Sequence, residues 1–386
     1  MEEAEITIQK DAKGNYCDRY SNSLTKKGIR RLTNKQMNDL FKALRLRISL
    51  TANCNQKCLF CSNEGACYSS RSFTPPNLDK IINLCEMLLK KTPLKQIDIS
   101  GGEPLMHPDF LTREYRFVKW TKKHPEVRFS LQTNGLNLYP EVIDLIKDNF
   151  ARIGISIHSA NFNTWDKITN PGKEVPQEMQ RERFDNLMEN LKYLSEKNIG
   201  SKVFLKTVIV RGMNDSEKEL KSFFELCRKF KFHPKILQFD PQYPSQVNLQ
   251  VKRKELFEKL QKIGAEFDKN VPFHNDPNTY IPGVNFKYDS TPLGIHSIFG
   301  CGDFAACKAC YNFLCMFVKF SKDGSRVYLK PCSVLDTQFD LTHAIETNDS
   351  DQLFDLFRLS REYLMLAPGI GSCGWNKEER YDTKNK

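Results

Sequence analysis

The chain has 386 residues, 40% of them hydrophobic, with thirteen cysteines and a formal charge of +11. No stretch approaches the roughly 18 consecutive apolar residues of a membrane span. The start, Met1-Glu2-Glu3-Ala4-Glu5-Ile6, lacks the basic and apolar regions of a signal peptide, so the expectation is a cytoplasmic protein with reduced thiols and no membrane partner. Clustered cysteines then read as metal ligands rather than disulfides. The lysines are scattered, as in Lys26-Lys27, Lys90-Lys91 and Lys122-Lys123, with no long basic block. Nucleic acid is therefore not the expected partner, while a modest positive field for an anionic small molecule stays open.

Residues 1–43 are polar and basic and read as an N-terminal extension. From residue 44 to 270, short apolar runs alternate with amphipathic stretches. Strands are expected at Leu44–Leu50, Gln96–Ser100, Val127–Gln132, Arg152–His158, Lys202–Val210 and Ile236–Asp240. Helical patterns fall between them at Leu78–Lys90, Pro140–Asn149, Phe184–Lys197 and Asp215–Phe230. Such alternation predicts parallel β/α units, in a doubly wound sheet or an incomplete barrel. From about 271 the sequence turns loop-rich, punctuated by Pro272, Pro277, Pro282, Gly283, Pro292 and Gly294. A second, cysteine-rich unit over 271–386 is expected there.

The most informative motif is Cys54-Asn55-Gln56-Lys57-Cys58-Leu59-Phe60-Cys61. A C-x3-C-x2-C triplet supplies thiolates for three irons of a [4Fe–4S] cluster and leaves the fourth iron open. Zinc, completed by Cys67, is the alternative. Ser100-Gly101-Gly102-Glu103-Pro104 follows the second strand, where two glycines allow close approach to the backbone and Glu103 offers a carboxylate to an ammonium group. Thr133, Asn134 and Gly135 after the third strand, and Ser156 on the fourth, add polar groups at the same strand ends. Strand alternation puts Arg47 and Ser49, Asp98 and Ser100, Gln132 and Asn134, Ser156 and His158, and Gln238 and Asp240 on one expected interior face.

Leu46–Thr51 running into the cysteine triplet, Gly101–Pro104, Gln132–Gly135, Ile153–His158 and Val208–Asp215, in that order, resemble the motifs of radical S-adenosylmethionine (SAM) enzymes. The closest likeness is to the GTP cyclases of molybdenum-cofactor biosynthesis, over roughly residues 44–365. The resemblance implies a partial (β/α)6 barrel with a small cysteine-rich C-terminal domain. It also implies that the open iron chelates SAM, whose reductive cleavage gives methionine and a deoxyadenosyl radical. Cys54, Cys58 and Cys61 would ligate that cluster. Phe60 would contact adenine, although a plain core aromatic reads equally from the residue itself. Gly101, Gly102 and Glu103 would hold the methionine end, with Thr133 and Asn134 nearby and Ser156 on the ribose or carboxylate.

The C-terminal cysteines are Cys301, Cys307, Cys310, Cys315, Cys332 and Cys373. The resemblance implies a second [4Fe–4S] cluster drawn from Cys307, Cys310, Cys315 and Cys332; zinc remains the alternative. Cys307-x2-Cys310 fits the cyclase spacing, while Cys315 stands at the expected distance before Asp323-Gly324. Arg47, Asp98, His158 and Lys206 are the expected substrate-facing residues, each of which could equally line a barrel and satisfy its neighbours. His158 could donate a proton, because imidazole titrates near neutrality.

The cyclase pattern is not complete. Asp98 and Phe204 stand where an arginine and a lysine are expected, Met316–Phe320 replaces an arginine-rich run, and the tail Asp382–Lys386 carries no double glycine. A carboxylate in place of a cation repels triphosphate. The sequence thus favours a radical SAM enzyme acting on another small molecule or a peptide, fed by a flavodoxin- or ferredoxin-type electron donor. The GTP cyclase and a non-catalytic zinc-binding module are the alternatives.

Overall fold

The computed structural model describes residues 6–10, 16–17, 32–61, 74–239, 241, 244–267, 283–289, 291–296, 315–331 and 337–370. Its strands in chain order are β1 (Ile6–Lys10), β2 (Tyr16–Cys17), β3 (Arg45–Ser49), β4 (Gln96–Ser100), β5 (Arg128–Thr133), β6 (Arg152–Ser156) and β7 (Val203–Ile209). They continue with β8 (His233–Gln238), β9 (Ala265–Phe267), β10 (Gly283–Tyr288), β11 (Thr291–His296), β12 (Cys315–Phe320), β13 (Val327–Lys330) and β14 (Thr337–Asp340). The chain forms two compact units, both discontinuous in sequence.

The first unit comprises Met1–Asn53, Asn63–Phe129 and Cys307–Trp375. Its strands run in the order β2-β1-β14-β13-β12-β3-β4. β3 pairs in parallel with both β4 and β12, and β12, β13 and β14 form an antiparallel meander. Leu46, Ile48, Ile97 and Ile99 alternate into the core and are fully buried. Helix Leu78–Lys91 begins at Asn77, whose side chain accepts from the Asp79 N–H, and it buries Leu78, Ile81, Leu84, Cys85 and Leu88 on one stripe. Helix Asn34–Ala43, closed by a Thr33–Gln36 capping box, lies inside the stretch expected to be a polar extension. Its Phe41 packs between Phe354 and Phe357 at 5.7 and 5.6 Å.

The second unit comprises Cys54–Ser62, Ser130–Ala306 and Asn376–Lys386. Its strands run β5-β6-β7-β8-β11-β10-β9. β5, β6, β7, β8 and β11 are mutually parallel in that order, and β9, β10 and β11 pair antiparallel. Helices Pro140–Asn149, Gln177–Glu196 and Glu217–Phe230 follow successive parallel strands. Helix Phe162–Thr169, absent from the sequence reading, starts at Asn161, which accepts from the Asn163 and Thr164 N–H groups.

The sequence and structure differ in instructive places. The expected strand Ile236–Asp240 is shifted to His233–Gln238, and Asp240 lies outside the described residues. The region expected to be loop-rich holds β10 and β11, joined through Asp289 at φ 48°. His158 is not a strand residue at all: β6 ends at Ser156, and His158 takes a left-handed φ of 62°. The alternation that placed it beside Ser156 on one face therefore breaks before reaching it.

Asn214 holds that break in place. Its Nδ2 donates to the carbonyls of His158 and Val208 at 2.8 Å each and to Thr207 Oγ1 at 3.1 Å, while its Oδ1 accepts from the Val210 N–H at 2.7 Å. All of this is buried, so Asn214→Ala strands several polar groups at once. The expected loss is about 2–4 kcal/mol of unfolding free energy, measured by urea denaturation; an unchanged midpoint would refute the assignment.

Candidate functional site

The cysteine loop belongs to the second unit and is held by its backbone. Lys57 N–H donates to the Thr169 carbonyl at 3.0 Å and Leu59 N–H to the Ile168 carbonyl at 2.9 Å, docking the loop on the end of helix Phe162–Thr169. Gln246 Nε2 donates to the Leu59 carbonyl at 3.1 Å, and Arg183 Nη1 to the Asn55 carbonyl at 3.4 Å. Cys54, Cys58 and Cys61 are half-buried thiols that form no disulfide. Desolvation of its sulfur, followed by the charges of Cys54 and Cys61, raises the Cys58 thiol well above its ordinary pKa. A Cys58 thiol so disfavoured from ionising, beside two further thiols, makes a site that a bound cation stabilises.

The donor set suits a cluster. Cys54, Cys58 and Cys61 lie within eight residues on one half-buried loop, three thiols for the three protein-ligated irons of a [4Fe–4S] cubane. When bound, that cluster supplies an electron to SAM at its open iron.

Phe60 is partly buried in an apolar group with Val208, Val210 and Phe239, and its ring meets the edge of His158 at 4.5 Å. His158 is buried, its Nδ1 accepting from the Val208 N–H at 3.2 Å. Burial, then the nearby Lys206 charge, lowers its pKa to about 3. The ring is thus a neutral Nε2–H tautomer at pH 7, so the imidazolium needed for proton donation near neutrality is not there. Asn134 contacts Asn55 and Cys54, and Thr133 Oγ1 accepts from the Gly135 N–H at 3.0 Å. Ser156 and Lys206 are register partners on β6 and β7, and Lys206 is in turn opposite Lys235 on β8. A Cβ at Gly154 would come within 2.4 Å of Lys206 Cε and 2.5 Å of Gln132 Oε1, so glycine lets the lysine lie across β6.

Gly101, Gly102 and Glu103 lie in the first unit. There the glycines admit protein rather than leave open space. The Gly102 N–H donates to the Thr51 carbonyl and the Glu103 N–H to the Asn53 carbonyl, both at 2.7 Å. A Cβ at Gly101 would stand 2.3 Å from the Thr51 oxygen, and one at Gly102 2.3 Å from the Asn53 oxygen. The turn therefore fixes the segment that leads directly into Cys54. Glu103 is fully buried and caps the Pro104–Met106 turn by accepting from the Leu105 N–H at 3.1 Å.

The same unit carries Arg47 and Asp98, opposite one another on β3 and β4. Asp98 is buried and accepts from Arg45 Nη2 in an ion pair. Arg47 stands opposite Phe317 of β12, with its guanidinium 5.2 Å from the ring centre. Cys315 sits at the register position beside Arg45. Cys301, Cys307, Cys310, Cys332 and Cys373 lie outside the described residues.

Residues 48–224, somewhat under half of the chain, match the Radical SAM superfamily, and the chain carries that catalytic domain, whose class of enzyme cleaves SAM at an iron–sulfur cluster. Curated relatives include GTP 3',8-cyclases. The probable GTP 3',8-cyclase of Pyrococcus abyssi is 25% identical over 336 residues, 84% of this chain and 95% of that protein. The GTP 3',8-cyclase of Petrotoga mobilis is 23% identical over 305 residues, 77% of this chain and 83% of its own length. Among solved structures, Streptococcus suis SuiB bound to precursor peptide SuiA aligns at a TM-score of 0.50 and 14% identity, over 81% of this chain. The chain spans 64% of that protein's length, and the likeness is one of fold. No helix among the described residues is long and apolar enough to cross a membrane.

Sequence reasoning missed Arg45, Asn55, Arg183, Asn214 and Lys235. Arg45 was within reach, two residues before Arg47 on the same strand face. Asn55, Arg183 and Asn214 engage backbone or loop groups that carry no sequence signal, and Lys235 is brought opposite Lys206 only by strand pairing.

Two outcomes follow from this geometry. Because the His158 pKa falls below its unfolded value of about 6.5, its contribution to stability is present above pH 6.5. That contribution is lost as pH drops from there toward 3. His158→Asn keeps an acceptor for Val208 and tolerates the left-handed backbone. It should flatten the pH dependence of unfolding in that window by up to about 1.4 kcal/mol per pH unit; identical slopes would show that His158 titrates normally. Gly102→Ala, read by iron content after anaerobic reconstitution, should retain less than half the wild-type iron, and full occupancy would count against the glycine's role.

Proposed function

We propose that the chain is a radical SAM enzyme of the GTP 3',8-cyclase type, acting on a purine nucleoside triphosphate. Support comes from cyclase relatives that align over 95% and 83% of their own lengths. The sequence reading set Asp98 against this, as a carboxylate where triphosphate needs a cation. One observation removes much of that objection: Asp98 is ion-paired to Arg45, so Arg45 and Arg47 together leave this face of β3 and β4 net positive. Cys54, Cys58 and Cys61 hold the SAM cluster in this reading. Phe60, Gly101, Gly102, Glu103, Thr133 and Ser156 form or frame the SAM site, and Arg47, Asp98, His158 and Lys206 face substrate. A second [4Fe–4S] cluster draws on Cys307, Cys310, Cys315 and Cys332 in a C-terminal region over 271–386. A flavodoxin- or ferredoxin-type donor supplies electrons in the cytoplasm.

A different substrate is the second reading. It is favoured by Phe204, which takes the place of an expected lysine and lies between Arg152, 4.3 Å from its ring centre, and a stacked His233.

Anaerobic reconstitution followed by GTP, SAM and dithionite separates the two. The expected result is about eight irons per chain, at four per cubane, with GTP-dependent deoxyadenosine and a cyclised nucleotide that Cys58→Ala does not form. Arg45→Ala should weaken GTP binding about tenfold, or about 1.4 kcal/mol. Deoxyadenosine without GTP dependence or cyclised product would select the second reading. No iron and no SAM cleavage would sink both.

A further inference from the structure

We propose that Asn134 is a positioning residue of the cluster loop, whose amide donates to the Cys54 sulfur and raises the reduction potential of the cluster that Cys54 ligates. This rests on reading Cys54, Cys58 and Cys61 as cluster ligands. The residue resemblance places Asn134 among the SAM contacts; its geometry directs it to the protein instead.

Asn134 is buried at the turn after β5. Its Oδ1 accepts from the Leu136 N–H at 3.1 Å. That bond fixes which end of the amide is oxygen, because only Oδ1 can accept from a backbone N–H. Nδ2 must then face the cysteine loop. One direction leads to Asn55 Oδ1 at 2.6 Å and the other to Cys54 Sγ at 3.9 Å. Both N–H groups are thus engaged on the loop itself, and none remains for SAM.

The Asn55 contact locks the residue next to Cys54, and Arg183 Nη1 donates to the Asn55 carbonyl at 3.4 Å. Cys54 therefore leaves a clamped residue, which narrows where its sulfur can stand. A distance of 3.9 Å is long for a neutral thiol. It shortens as the sulfur becomes a cluster-bound thiolate, since a charged acceptor draws the donor in. Hydrogen bonds to cluster sulfurs withdraw electron density and stabilise the reduced state, which carries one more negative charge. An N–H on Cys54 should therefore make the cluster easier to reduce.

Asn134→Asp is the informative variant. It keeps Oδ1 for Leu136 and the shape of the side chain, but replaces the donor with an acceptor facing Asn55 and Cys54. Asn134→Ala removes the donor without adding charge. Wild type and both variants would be reconstituted anaerobically, and their iron content, SAM affinity and midpoint potential measured. The potential would come from an EPR-monitored titration without SAM. The expected result is a lower midpoint in both variants, lowest in Asn134→Asp, with SAM affinity within twofold of wild type. Unchanged midpoints with SAM affinity lost tenfold or more would overturn the proposal and return Asn134 to the SAM site. If neither variant takes up iron, wild type grown with side-chain 15N-asparagine decides: a weak 15N coupling to the reduced cluster supports the bond, and its absence overturns it. A wild-type chain that binds no iron overturns the cluster reading itself, and this proposal with it.

Discussion

Three thiols held on one loop are the constraint from which the second unit is built. Sulfur atoms that will carry negative charge repel one another, and Cys58 meets both its neighbours' charge and a low-polarity setting. Without a cation the Cys58 thiol stays protonated. The protein therefore fixes the loop through its backbone, using the C-terminal end of helix Phe162–Thr169 and the side chains of Arg183 and Gln246, and through the Asn55 side chain, to which Asn134 donates. The binding energy of the cluster then goes into ionising the thiols rather than ordering the chain.

The first unit solves a different packing problem. The segment before Cys54 must lie against the turn after β4 closely enough for two backbone hydrogen bonds of 2.7 Å. Any side chain at Gly101 or Gly102 would occupy the space of a carbonyl oxygen. Glu103, fully buried, is tied to the next turn through the Leu105 N–H. The motif that reads as a ligand cradle is thus first a joint between two stretches of chain. A ligand role for Glu103 has to be compatible with a carboxylate that already accepts a backbone bond.

Much of this was legible in the residues. The β/α alternation after residue 44 anticipated β3 through β8, because apolar runs of strand length bounded by amphipathic stretches leave little choice of architecture. Helix Phe162–Thr169 escaped because it is short and its start signal, Asn161, lies in a run of polar residues that equally suits a loop. β10 and β11 escaped because Gly283, Pro292 and Gly294 read as breaks, although the strands tolerate them at their ends and in an antiparallel pair. His158 shows the limit of alternation: one left-handed residue, stabilised by Asn214 and Val208 from a later strand and turn, moved a side chain off its expected face. No local pattern encodes a partner fifty residues away.

Charge at the first unit's strand face carries the same lesson toward specificity. Taken one position at a time, Asp98 is a sign reversal and excludes an anionic substrate. In the folded unit its partner is Arg45, and the arginine read from sequence as substrate-facing, Arg47, is covered by Phe317. Phe317 falls within the stretch that replaced an expected arginine-rich run, so that stretch shields a cation instead of supplying several. A shielded guanidinium is less hydrated and holds a phosphate more tightly than an exposed one, while a paired carboxylate repels it less. Fewer cations in drier surroundings can meet an anion as well as many exposed ones. Counting charged residues against a family pattern therefore underestimates this face, whose charge is the balance of Arg45, Arg47 and the paired Asp98.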